Sequence, residues 1–84
     1  MLEYRITELD DTIPSRFRLT ASSRLVSFFT SLDAAANTAR LLGACDHQLG
    51  DDVVVTVHRA DGAVKVVDTM MGDAIAFRQL YQMV

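Results

Sequence analysis

The chain has 84 residues, half of them hydrophobic, a net charge of −3 and one cysteine. That length and composition suit one globular domain over residues 1–84 and exclude a disordered chain. The lone cysteine excludes an internal disulfide, and the mild negative charge argues against a general nucleic-acid binder.

Residues 2–9 alternate, with Leu2, Tyr4 and Ile6 on one side and Glu3, Arg5 and Thr7 on the other, which predicts a half-buried strand. Asp10 to Ser15 break the pattern, and Pro14 cannot serve a central ladder. Residues 16–20 alternate again, with Phe17 and Leu19 opposite Arg16, Arg18 and Thr20. The two segments are expected to pair antiparallel. Residues 21–24 read as a turn and the apolar run 25–29 as a third strand.

Thr30 is the expected cap of a helix that runs to about Leu42, with Asp33 near its positive end. Leu32, Ala35, Ala36, Ala39 and Leu42 form its apolar face, while Asn37 and Arg40 point away. Gly43 reads as its left-handed stop, and residues 44–52 as a polar loop.

Residues 52–68 read DVVVTVHRADGAVKVVD. Asp61-Gly62 between alternating hydrophobics predicts a hairpin closed by a two-residue type I′ turn. That register pairs His58 with Lys65 and Val57 with Val66. It puts Val53, Val55, Val57, Val64 and Val66 on a core face, and Val54, Thr56, His58, Lys65 and Val67 on a second face. After a connector, Asp73 caps a second helix over residues 74–83, with Phe77, Leu80, Tyr81 and Val84 as its apolar stripe.

The expected fold is therefore α+β: a small two-layer sandwich in the order β-β-β-α-β-β-α, with a mainly antiparallel sheet packed by one or two helices. If the third and fourth strands are parallel neighbours, the first helix makes a right-handed crossover between them. No apolar run approaches the roughly 20 residues of a membrane span. The first residues lack a basic stretch followed by an apolar one, so no signal peptide and a cytoplasmic location are expected.

From Phe29 to Val66 the pattern FTSLDAAANTAR followed by VVVTVHRADGAV resembles a bacterial family of small proteins classed only as a domain of unknown function. The resemblance covers about half the chain and rests on a helix cap, small helix residues and a turn. It implies a short N-terminal hairpin, an alanine-rich helix and a hairpin closed by Asp-Gly. It implies no catalytic set. The loop around Cys45 and the C-terminal segment depart from the family pattern.

Three groups of residues are candidates for chemistry. Cys45, Asp46 and His47 with Asp51 and Asp52 are metal-type ligands, yet their spacing matches no strong zinc motif, and turn-forming aspartates explain the acids. Cys45 beside His47 is also the one nucleophile–base pairing, set against a helix C-terminus that disfavours thiolate. Arg5, Arg16, Arg18 and Lys65, with His58, share the outward parity of their strands and form a candidate cationic face for RNA or single-stranded DNA. That parity offers no aromatic side chain for stacking bases. No phosphate-binding glycine loop, G-x-S-x-G or H-E-x-x-H occurs.

The sequence therefore points to a non-enzymatic interaction module without a cofactor or metal. It is expected to bind a protein partner or its own copy, with Val54, Val67, Phe77, Leu80, Tyr81 and Val84 as the candidate interface. By size and charge alone it is comparable to accessory or inhibitor proteins of bacteria and phage, anti-CRISPR proteins among them. The apolar content exceeds what one small core needs, and a symmetric dimer is the commonest way to bury the surplus. The alternatives are a nucleic-acid-associated protein using the cationic face, and a small metal-binding or enzymatic protein using the Cys45/His47 loop.

Overall fold

A computed structural model describes residues 1–10 and 12–71. One helix, α1 (Leu32–Gln48), packs on a five-stranded sheet in the order β3-β2-β1-β4-β5. The strands are β1 (Leu2–Glu8), β2 (Phe17–Ala21), β3 (Arg24–Phe29), β4 (Val53–His58) and β5 (Val64–Met70). The fold is α+β. Three of the strand pairings are antiparallel, but β1 and β4 pair in parallel, so the sheet is mixed. The neighbour of β4 is β1 rather than β3: α1 carries the chain past β2 and β1 before it re-enters the sheet. The expected C-terminal helix, with Phe77, Leu80, Tyr81 and Val84, lies outside the described residues. Among those described, no helix is long and apolar enough to cross a membrane.

The alternation in β1, β2 and β4 places Tyr4, Ile6, Phe17, Leu19, Val53, Val55 and Val57 under α1, all buried. Ala35, Ala36 and Ala39 complete this core from the helix, as their spacing predicts. Side chains this small let the helix axis sit close to the sheet.

Helix α1 differs from expectation at both ends. Ser31, not Thr30, is the N-cap: its backbone is extended and its Oγ accepts from the Ala34 N–H at 3.1 Å. The helix also runs through Gly43 and ends at Gln48. Gly43 is a contact residue, because a Cβ there would lie 2.9 Å from Val53 Cγ1. The αL stop belongs to Gly50, at φ 103°, whose N–H donates to the His47 carbonyl at 3.0 Å.

The central hairpin is off the expected register by one residue. The Gly62 N–H donates to the Arg59 carbonyl at 3.0 Å, and the Arg59 N–H to the Ala63 carbonyl at 2.8 Å. The loop is thus three residues, closed by Gly62 at φ 92°, a turn with a glycine bulge rather than a type I′ pair. The Asp61 carboxylate steadies it by accepting from the Ala63 N–H at 2.9 Å. A one-residue shift turns every side chain over. Val57 now opposes Lys65, and His58 opposes Val64. Val64 and Val66, expected in the core, leave it. Lys65 moves to the helix side, and Val67 packs against the core instead of facing away from it.

The two-residue turn with positive φ at both positions does occur, at Ser22 (49°) and Ser23 (71°), between β2 and β3. Each edge strand also carries a register shift, at Val26 in β3 and at Val67 in β5. Such bulges twist sheet edges and discourage strand-to-strand association.

Candidate functional site: the open face of the sheet

Helix α1 covers one face of the sheet. No described element covers the other, and the register assigns its side chains to two cross-strand rows. One row runs Phe28–Arg18–Thr7–His58–Val64 from β3 to β5. The next runs Leu25–Thr20–Arg5–Thr56–Val66. Both are polar in the middle and apolar at the two ends. Glu3 and Val54 begin a third row, which ends at Thr69.

The apolar ends are open: Leu25 is 57% exposed, Phe28 46%, Val64 60% and Val66 56%. Between them a groove of about 600 Å³ is lined by residues that include Arg5, Thr7, Arg18, Leu25, Phe28 and His58.

The polar middle divides electrostatically. Glu3 gathers the end around Arg5: it lies 3.1 Å from Arg5 Nη2 and 4.0 Å from His58 Nε2, and it accepts from Thr56 Oγ1 at 2.9 Å. The Thr56 hydroxyl bond, with the Arg5 guanidinium adding to it, holds the Glu3 carboxyl below the ordinary carboxylate value against a smaller opposing effect of burial. At the other end Arg18 has no carboxylate partner among the described residues. Its Nε is sealed from solvent without a hydrogen-bond acceptor, and so is His58 Nε2.

The expected cationic face is therefore only partly assembled. Arg5, Arg18 and His58 come together on the open face. Lys65 does not, because the hairpin register turns it to the helix side. Arg16 lies at the end of the sheet, 3.9 Å from Glu8 and with its guanidinium 5.0 Å from the Phe17 ring centre. Glu8 also holds Arg59 at 3.2 Å and accepts from the Ala60 N–H at 3.0 Å, which ties the hairpin loop to β1. Of the expected interface residues, Val54 is half-buried on the open face and Val67 lies against the core.

Leu25, Phe28, Val64 and Val66 are site residues that sequence reasoning missed. Counting back from the Ser22-Ser23 turn pairs Arg18 with Ser27 and turns Phe28 inward. The bulge at Val26 shifts this by one, so that Phe28 faces out beside Arg18 and Phe29 faces the core. A run of apolar residues carries no mark of where such a bulge falls. The one phenyl ring of the two rows is thus delivered by a backbone irregularity.

Cys45 and His47 belong to the last turns of α1 rather than to a loop. Two residues apart on a helix, they do not face each other. Cys45 is exposed, and His47 Nδ1 lies 2.9 Å from the Asp51 carbonyl oxygen. Asp46, between them, turns inward and accepts a hydrogen bond from the Tyr4 hydroxyl, linking α1 to the sheet. Burial first, and the Asp46 carboxylate second, push the Tyr4 phenol up to about 12. Among the described residues no three His, Cys, Asp or Glu side chains converge to hold a metal ion.

Comparison with protein-family models, with curated proteins and with solved structures finds no match to this chain.

Proposed function

We propose that this chain is a non-enzymatic interaction module that binds a protein partner, or a second copy of itself, through the open face of its sheet. One observation carries the reading. Four large apolar side chains, Leu25, Phe28, Val64 and Val66, stand exposed at the two edges of a face that no described element covers. They contribute nothing to the core beneath α1, and exposed apolar surface of this kind is typical of interaction sites. The polar middle strip keeps such a face soluble between encounters and supplies the hydrogen bonds that give an interface its specificity.

The test is a Leu25→Asp/Val66→Asp double variant, checked for folding by circular dichroism. Sedimentation equilibrium at micromolar concentration and affinity capture from an extract of the source cells are run beside wild type. Self-association or capture by wild type, lost in the variant, is the expected result. A monomeric wild type that captures nothing, or unchanged behaviour of the variant, overturns it.

A nucleic-acid reading is favoured by one specific observation: Phe28, an aromatic platform, stands next to Arg18 in the same row as His58. Weighing against it are Glu3 on the same face and the loss of Lys65 and Arg16 from it. An electrophoretic shift at low salt that weakens at moderate salt and disappears with Arg18→Gln would establish this reading in place of the first.

A further inference from the structure

We infer that the open face takes an acidic, apolar segment of a protein partner, with one carboxylate seated on Arg18 and apolar side chains resting on Leu25 and Phe28. The inference rests on the reading of this face as a binding surface and adds the chemistry of what it binds.

The argument starts from the arginines. Arg5, Arg16, Arg40 and Arg59 each have a carboxylate within 4.0 Å. Arg24 is exposed to water. Arg18 has neither: it lies in the groove, half-buried, with no carboxylate partner among the described residues. A guanidinium in a groove with no carboxylate beside it is a ready partner for one, because a carboxylate matches it with two parallel hydrogen bonds. Glu3, the acid on this face, is committed to Arg5 and Thr56 two rows away. The unanswered charge is thus a single cation, which suits one carboxylate better than the run of phosphates of a nucleic acid.

The surroundings specify the rest of the ligand. Phe28 flanks Arg18 in its own row, and Leu25 ends the adjacent row. In an extended segment laid along β2 and β3, alternate side chains face the sheet and fall on successive rows. A carboxylate over Arg18 then brings an apolar side chain over Leu25, and Phe28 covers the stem of the acid.

A nitrogen-15 NMR titration of the full chain tests this. The probe is a short acetylated peptide of leucine and glutamate. Its counterpart with glutamine for glutamate, inorganic phosphate and oligothymidylate are the comparisons. The expected result is saturable shifts at Thr7, Arg18, Thr20, Leu25 and Phe28 with the glutamate peptide. Binding should weaken about tenfold or more for the glutamine peptide and for Arg18→Gln, the factor that a lost charge-assisted hydrogen bond carries. Melting curves establish that Arg18→Gln is folded. Equal binding of the two peptides, or shifts confined to α1, overturns the inference. Phosphate alone matching the peptide reduces it to a bare anion site and overturns the apolar part. Tighter, salt-sensitive binding of oligothymidylate overturns the choice of partner. If the peptide fails while Leu25→Asp/Val66→Asp still abolishes self-association or capture, the binding face stands and the acidic segment falls. If neither has an effect, both fall.

Discussion

Arg5 and Ile6 are neighbours in β1 and meet opposite environments. Ile6 is fully sealed beneath α1, while Arg5 faces the groove on the other side with its side chain 48% exposed. Along β4, Val53, Val55 and Val57 are buried beneath α1 and Val54 and His58 are half-covered, while Thr56, on the open face, is buried among its neighbours. The helix side is a closed packing problem, with small alanines and Gly43 setting the distance between layers. The open side has large apolar groups at its edges and an ordered polar strip, and little of it adds to packing. Most of the buried apolar surface lies on one face, and the other is the face proposed above for recognition.

Substitutions on the two faces should separate accordingly. Ile6→Ala removes a fully buried side chain and is expected to cost about 2–5 kcal/mol in chemical denaturation. Val66→Ser, on an edge strand of the open face, should stay within about 0.5 kcal/mol of wild type. Similar losses at both positions would show that the open face is part of the core.

The layer spacing can be broken from the helix. Gly43→Val brings a side chain onto Val53, which is fully buried and stiff at χ1. Overpacking of about 1–3 kcal/mol should outweigh the roughly 0.3 kcal/mol of helix propensity gained by replacing glycine with β-branched valine. A variant that melts at or above the wild-type temperature would place the helix farther from β4 than described.

The assignment of β5 residues to faces depends on Gly62. Nothing lies near the position of its Cβ, so Gly62→Val tests backbone strain alone. It should lose about 1–2 kcal/mol, the usual cost of a left-handed non-glycine residue. The serines of the β2–β3 turn offer the converse. Ser22→Asn with Ser23→Gly supplies the pair that a type I′ turn prefers and should raise stability by up to about 1 kcal/mol. Unchanged or lowered stability would argue against that turn geometry.

Alkali sharpens the contrast without any substitution in the core. Tyr4 is held neutral by burial and by Asp46, with its value raised from 10.0 to about 12. Its contribution is complete below pH about 10, where the unfolded phenol begins to ionise, and is lost as pH rises through the folded value. Ultraviolet titration of a Tyr81→Phe protein should show late phenol ionisation coincident with loss of stability. Ionisation near the ordinary value would show that the phenol is open to water.

The sequence alone was enough for much of the covered half. Alternation in residues 2–8, 17–21 and 53–58 marked the buried set, and the spacing of Ala35, Ala36 and Ala39 marked the helix face, because burial imposes a period of two on strands and 3.6 on helices. It also placed Arg5, Arg18 and His58 on the outer parity. What it left undecided was decided by tertiary structure. Periodicity does not say which strands are neighbours, so the parallel pairing of β1 with β4 was not readable. Gly43 looked like a stop, and only the nearness of Val53 makes it a packing residue. The register of β5 and the outward turn of Phe28 depend on one extra loop residue and one bulge. Each displaces the pattern by a single position, and in a strand a single position exchanges the faces.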